Sequence, residues 1–179
     1  SIGRPSTFPL AFSSSLREKK RMSDRLVLRL AKLGDAPAIA TTIAVAFEQY
    51  RGRLQPESGA FLETADTIAA ELSKGATAIV AERNGEMLGC VMTKEMDGDL
   101  YFGRLSVRPA ARGTGLAARL VAAVEDLARA RGLPGVRLGV RIALPDNQRL
   151  FTSLGYRETS REAHPGFDYP TSINMRKAS

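Results

Sequence analysis

Apolar side chains recur along this chain with periods of about 3.6 and 2, and the changes between them mark out eleven segments. A strand is predicted over Leu26 to Ala31. A helix follows, opened by Asp35 as its cap, with Pro37 tolerated in the first turn and Ile39, Ile43 and Phe47 on one buried stripe. After a loop over Gln49 to Gly59, a second helix runs from Thr64 to Lys74 and is closed by Gly75. Period two then gives three strands, Thr77 to Arg83, Met87 to Lys94 and Leu100 to Val107. They form an antiparallel meander, because Asn84-Gly85 and Asp97-Gly98 are strong signals for tight hairpin turns. Leu116, Leu120, Val124 and Leu127 define a third helix that Gly132 and Pro134 stop. Val136 to Ile142 returns as a parallel neighbour of the preceding strand. A helix over Asp146 to Leu154 and a hairpin of Tyr156 to Ala163 with Pro170 to Arg176 complete the chain. The expected fold class is α/β (α+β), order βααβββαβαββ, with a mixed, mostly antiparallel central sheet flanked by helices.

Composition narrows this picture. A chain of 179 residues, 44% hydrophobic and 25% charged, suits one domain with a proper core. Its longest apolar stretch, Ala36 to Phe47, is broken by Pro37, Thr41 and Thr42 and is too short to cross a bilayer, so no membrane partner is expected. The formal net charge is +7, but six basic and two acidic side chains fall within residues 1–25, leaving 20 basic against 17 acidic beyond them. So small a surplus calls for no nucleic acid, although it helps draw a polyphosphate into a positive cleft. The single cysteine, Cys90, lies between Leu88 and Val91 and Met92 as a buried inert thiol and suits a reducing, cytoplasmic compartment. Residues 1–21 are rich in Ser and Pro, and their basic run follows Phe8, Leu10 and Phe12, the reverse of a secretory signal. They read as an N-terminal extension or a cloning remnant, more than as a transit peptide, with the domain at 22–179.

The most informative chemistry lies between the last meander strand and the third helix. Gly113 and Gly115 let the backbone approach a ligand that a Cβ would fend off, and the first helical turn leaves N–H groups unpaired. With the helix dipole and the Arg112 guanidinium, the loop favours a phosphate or pyrophosphate. A dinucleotide fingerprint does not fit, because Arg108 to Arg112 separate the strand from the first glycine and the next strand offers Arg137 and Arg141 where a carboxylate is needed. A P-loop is excluded, since no Gly-Lys-Ser/Thr follows. A plain tight turn into a surface helix is the other reading of the two glycines.

Arg112, Gly115 and Ala117 match the signature Q/R-x-x-G-x-G/A, and Leu105, Ser106, Val107 and Pro109 look like its strand-and-loop lead-in. Asn147, Leu150, Phe151, Gly155 and Tyr156 are similar to a segment N-x-x-L-Y-x-x-x-G-F. On these residues, spanning 105 to 156, the chain resembles the Gcn5-related N-acetyltransferase (GNAT) family. The resemblance implies the acyl-CoA N-acyltransferase fold, with acetyl-CoA as co-substrate where the fourth and fifth strands splay apart. It assigns the pantetheine arm to Leu105, Ser106 and Val107, the pyrophosphate to Arg112, Gly113, Thr114, Gly115, Leu116 and Ala117, and a further CoA contact to Asn147. It implies an enzyme moving an acetyl group to a primary amine of a small molecule or peptide by direct attack. No metal is expected, and a homodimer is open because dimers are frequent in that family.

Direct attack requires a neutral amine, hence a base or a water relay. Glu48, Glu57, Asp99, Tyr101 and His164 are the candidates near the expected cleft, each with a structural alternative. The three carboxylates read as solvated, Tyr101 as strand packing and His164 as part of a turn. Phe151 departs from the family, where a tyrosine protonates the departing thiolate. A thiol of pKa near about 8.5 leaves tolerably without help, so turnover need not vanish. The alternative function is a catalytically weak CoA-binding or sensing module of the same fold. A Cys90–His164 acyl carrier matches no nucleophile signature.

Overall fold

The structure, a computed structural model, describes residues 16–19, 21 and 24–179. The domain boundary expected at Met22 and most of the segment before it lie outside the described residues. The elements follow in the predicted order: β1 (Val27–Leu30), α1 (Ala36–Phe47), α2 (Ala65–Ser73), β2 (Thr77–Arg83), β3 (Glu86–Met96), β4 (Asp99–Val107), α3 (Leu116–Ala130), β5 (Gly135–Arg141), α4 (Pro145–Ser153), β6 (Arg157–Glu162) and β7 (Ser172–Ala178). They build one seven-stranded sheet, β1-β2-β3-β4-β5-β7-β6. Every pairing is antiparallel except β4–β5. The terminal hairpin forms as expected, but β7 lies inside it against β5, leaving β6 at the edge.

Both meander turns have their two central residues in the left-handed region, Asn84 and Gly85 at φ 53° and 76°, Asp97 and Gly98 at 53° and 82°. Such turns match the right-handed strand twist and fix the register of β2, β3 and β4. Helices cover both sheet faces. Ile39 and Ile43 of α1 and Ile68 of α2 pack on Val80, Cys90 and Met92. Leu116, Leu120 and Val124 of α3 pack on Val91, Leu100 and Phe102 of the opposite face. Phe151 and Tyr156 meet Phe102 edge-on at centroid distances of 5.9 and 6.0 Å. Thr64 caps α2, its hydroxyl accepting from the Thr67 amide at 3.2 Å while the Thr67 hydroxyl accepts from the Thr64 amide at 2.8 Å. No helix among the described residues is long and apolar enough to cross a membrane.

Two expectations need correction. Asp35 precedes α1 but does not cap it with its side chain. Its carboxylate accepts from Arg29 at 2.8 and 3.0 Å and from the Lys32 amide at 2.7 Å, because the guanidinium fork offers a bidentate ion pair where a cap offers a single amide. Asp99, expected to be solvated, is 2% exposed. Arg176 of β7 grips it with Nε at 2.7 Å and Nη2 at 3.1 Å, and Arg137 of β5 bonds the same carboxylate. The hydrogen bond from Arg176, reinforced by Arg137, holds this carboxyl below the usual aspartate range. The cluster ties the starts of β4 and β5 to β7, so Asp99 is a structural ion and not a base.

Candidate active site

The β4–β5 ladder is short. Leu100 pairs with Val136 and Tyr101 with Arg137, and there the register ends. Beyond Tyr101, the N–H and C=O groups of β4 that point towards β5 have no strand partner, an arrangement otherwise confined to sheet edges. A bulge in β4 marks the departure: Met92 faces Gly103 and Cys90 faces Ser106, so Val91 is opposed by two residues. Arg104 takes the strained position with φ 53°. The bulge also shifts the side-chain phase, so that Leu105 and Val107 join Leu100 and Phe102 on the α3 face of the sheet.

A cavity of about 730 Å³ fills the gap and is lined by residues from both sheet faces. On the α3 face it meets Leu105, Val107, Arg112, Ala117, Asn147, Leu150 and Phe151; on the other it meets Tyr101, Gly103, Arg104, Gly139, Arg141 and His164. Gly139 is exposed to the gap, and a Cβ there would lie 3.8 Å from the Tyr101 hydroxyl. The loop after β4 reaches α3 through Gly113 and Gly115, at φ 74° and 79°. Those values exclude a β-branched residue and favour glycine. The α3 ladder begins with the Arg119 amide on the Gly115 carbonyl at 3.1 Å, and no side chain caps the helix. The amides of Leu116, Ala117 and Ala118 therefore have no helical acceptor and lie free for an anion.

Of the residues assigned to the cofactor, Leu105, Val107, Arg112, Ala117 and Asn147 line the cavity. Ser106 and Leu116 turn their side chains inward, Ser106 donating to the Arg104 carbonyl at 2.8 Å and Leu116 entering the core, so only their main chain faces outward. Gly113, Thr114 and Gly115 form the loop beside the cavity, the Thr114 hydroxyl donating to the Ala111 carbonyl at 2.6 Å. Arg112 donates to the Ala46 carbonyl at 3.3 Å, which braces the loop against the end of α1.

The proposed bases separate. Glu48 is exposed and paired with Arg51 at 2.9 Å outside the cavity. Glu57, Tyr101 and His164 line it. Glu57 accepts from the Gly52 amide at 2.6 Å. Burial pushes the Tyr101 phenol up. His164 sits in the β6–β7 connection with Nδ1 on the Thr171 hydroxyl, and burial together with the charge of Arg141 holds it below the usual histidine range. Cys90 is fully buried, its thiol pushed up to about 12, and lies outside the cavity lining.

Tyr50 and Arg141 are among the lining residues that sequence reasoning missed. Tyr50 follows α1, and its hydroxyl accepts from Asn147 Nδ2 at 3.3 Å, one helical turn before Phe151. Arg141 closes β5 and donates to the Pro56 and Glu57 carbonyls. Neither stood in a motif.

Many solved structures share this architecture, among them the following three. An acetyltransferase of the GNAT family from Streptococcus pneumoniae is 17% identical, over 86% of this chain and 99% of that one, with a TM-score of 0.69. The ribosomal-protein-S18-alanine N-acetyltransferase from Escherichia coli is 21% identical over 86% and 94%, with a TM-score of 0.68. The PaiA N-acetyltransferase from Thermoplasma acidophilum, in complex with coenzyme A, is 15% identical over 87% and 99%, with a TM-score of 0.68. No curated protein sequence matches the chain. The sequence profile of the acetyltransferase (GNAT) family matches residues 43–156, more than half of the chain and both strands that flank the cleft, so the chain belongs to that family of acetyl-CoA-dependent acyltransferases.

Proposed function

We propose that the protein is an N-acetyltransferase that moves the acetyl group of acetyl-CoA to a primary amine of a small molecule or peptide by direct attack. The observation that carries this reading is the two-residue ladder between β4 and β5, which leaves an open strand edge leading to an uncapped helix start. The residues fit the co-substrate. The main chain of Leu105, Ser106 and Val107 would pair with the amide-bearing pantetheine arm as an added strand does. The free amides at the start of α3, with Arg112, would hold the pyrophosphate. Asn147 would contact the arm from α4.

When bound, acetyl-CoA supplies an activated thioester. Formation of the nitrogen–acetyl bond and cleavage of the carbon–sulfur bond leave a surplus proton on nitrogen and a thiolate. His164, which lines the cavity, takes the surplus proton from nitrogen; burial and Arg141 disfavour its charged form, so it passes that proton on readily. The Tyr50 hydroxyl supplies a proton to the thiolate: Asn147 donates to its oxygen, which leaves the phenolic hydrogen free. Tyr50 thus does what a phenyl ring at position 151 cannot.

A catalytically weak CoA-binding module is the second reading, favoured by Phe151. Release of free thiol from acetyl-CoA across a panel of amino acids, polyamines, arylalkylamines and short peptides separates the two. Sustained release with any member supports the enzyme; binding of CoA without release supports the module.

A further inference from the structure

Because the cavity passes between two strands, it opens towards both sheet faces, and the two openings differ in chemistry. The α3 side carries the loop and the apolar residues Leu105 and Val107. On the other side, strand alternation settles what β5 presents. Val136, Leu138 and Val140 enter the α3-side core, so Arg137, Gly139 and Arg141 point away from it. The acceptor side is therefore lined by Tyr101, Arg104, Arg141, Glu57 and His164.

The charges on this side are unevenly paired. Arg104 is matched by Glu63 at 3.2 Å. Glu57 commits a carboxylate oxygen to the Gly52 amide. Arg141 forms no ion pair among the described residues. Its only partners are neutral main-chain oxygens, Pro56 at 2.9 Å from Nη1 and Glu57 at 3.3 Å from Nη2. A guanidinium carries five N–H donors in a rigid fork, so three remain. Burial and the nearby Arg104 work against its charge and the Glu57 carboxylate, close but not ion-paired with it, offsets this only in part, so an incoming anion would relieve the remainder.

We infer that Arg141 is the anion-recognition point of the acceptor pocket, and that the acceptor is an amine which also bears an anionic group, as an amino acid does. The inference rests on the acyl-transfer reading. It adds that a carboxylate docks on the Arg141 fork while the amine reaches back past Gly139, where the missing side chain leaves room beside Tyr101.

The test uses matched pairs with acetyl-CoA: phenylalanine against phenethylamine, lysine against cadaverine, and O-phosphoethanolamine against ethanolamine. At least one anionic member is expected to exceed its partner in kcat/KM by about tenfold or more, the usual scale of a charge-assisted contact. Arg141→Gln should erase that preference, bringing the ratio of kcat/KM within each pair to about one; Arg141→Lys, with charge but no fork, should retain part of it. A preference confined to the phosphate pair assigns phosphate to the same point. Equal or better rates with every uncharged member overturn the inference and leave acyl transfer standing. So does an equal loss on both members in Arg141→Gln, which would make Arg141 a clamp on the 56–57 loop only. If no amine turns over, calorimetry of N-acetylphenylalanine and its amide with CoA present decides the matter. Selective binding of the carboxylate keeps the anion site while acyl transfer falls, and equal or absent binding overturns the anion site.

Discussion

The two ends of the β4–β5 pair are made from the same strands and do opposite work. At the start, Asp99 with Arg137 and Arg176 ties three strands together, and Leu100 and Val136 seal the core beneath them. Four residues further on, a bulge puts Arg104 in the left-handed region, Gly103 and Gly139 remove side chains from the gap, and the ladder has ended. Local strain is tolerated at the open end because the closed end, the β3–β4 pairing and α3 over-determine the strand. Stability and binding are thus separable along one pair of strands, and substitutions at the two ends should fail differently.

The largest effect is expected at the closed end. Asp99→Asn leaves two guanidiniums facing each other; both are partly exposed, so the loss of unfolding free energy should be about 3 kcal/mol, near the low end for a broken buried pair. Urea titration reads it. The sign with pH follows from the lowered carboxyl. Its contribution is fully present above the unfolded-state value of about 3.9 and is lost as pH falls through the lower folded value, so the wild type should lose stability more steeply than Asp99→Asn below pH of about 4. CoA affinity of the folded fraction should not change, and a collapse of affinity would tie the closed end to binding.

At the open end, Gly115→Val places a β-branched residue at φ 79° and crowds the free amides. The KM for acetyl-CoA should rise about thirtyfold, comparable with losing one hydrogen bond to a charged group. Steady-state kinetics at saturating amine would show it, and an unchanged KM would remove the loop from the account. Tyr50→Phe keeps the ring stacked edge-on to Phe47 and removes only the hydroxyl. Here kcat should fall about tenfold, modest for a general acid because thiolate leaves easily, with KM for acetyl-CoA nearly constant. A matched rise in KM would mean that the hydroxyl binds and does not protonate. The smallest effect is Phe151→Tyr, whose rate should equal or exceed wild type by no more than about threefold, and which should restore part of the loss in Tyr50→Phe. A collapse of rate in a folded Phe151→Tyr protein would show that position 151 lies elsewhere in the reaction.

What the sequence carried follows the same division. The meander was legible because Asn84-Gly85 and Asp97-Gly98 have a local mechanism, and α3 because its apolar residues recur at helical spacing. The tight entry into α3 was legible because Gly113 and Gly115 precede a helical stripe, and both take positive φ. The location of β7 between β5 and β6 was not, since alternation names strands but not their remote neighbours. Asp99 was misread because a carboxylate's fate depends on Arg137 and Arg176, 38 and 77 residues away. Asp35 was misread because Arg29 competes for it. The Arg104 bulge leaves no mark in composition. Tyr50 and Arg141 could be found only once the fold had set them beside Asn147 and the cavity.

The most direct test of the open edge is amide hydrogen exchange followed residue by residue, with and without CoA. Added CoA should slow exchange at amides within 103–107 and 113–118, and leave 99–101 and 135–137 unchanged. Slowed exchange in the paired segment with none in the splayed one, or no change at any amide, would contradict the claim that the unpaired edge of β4 and the start of α3 hold the co-substrate.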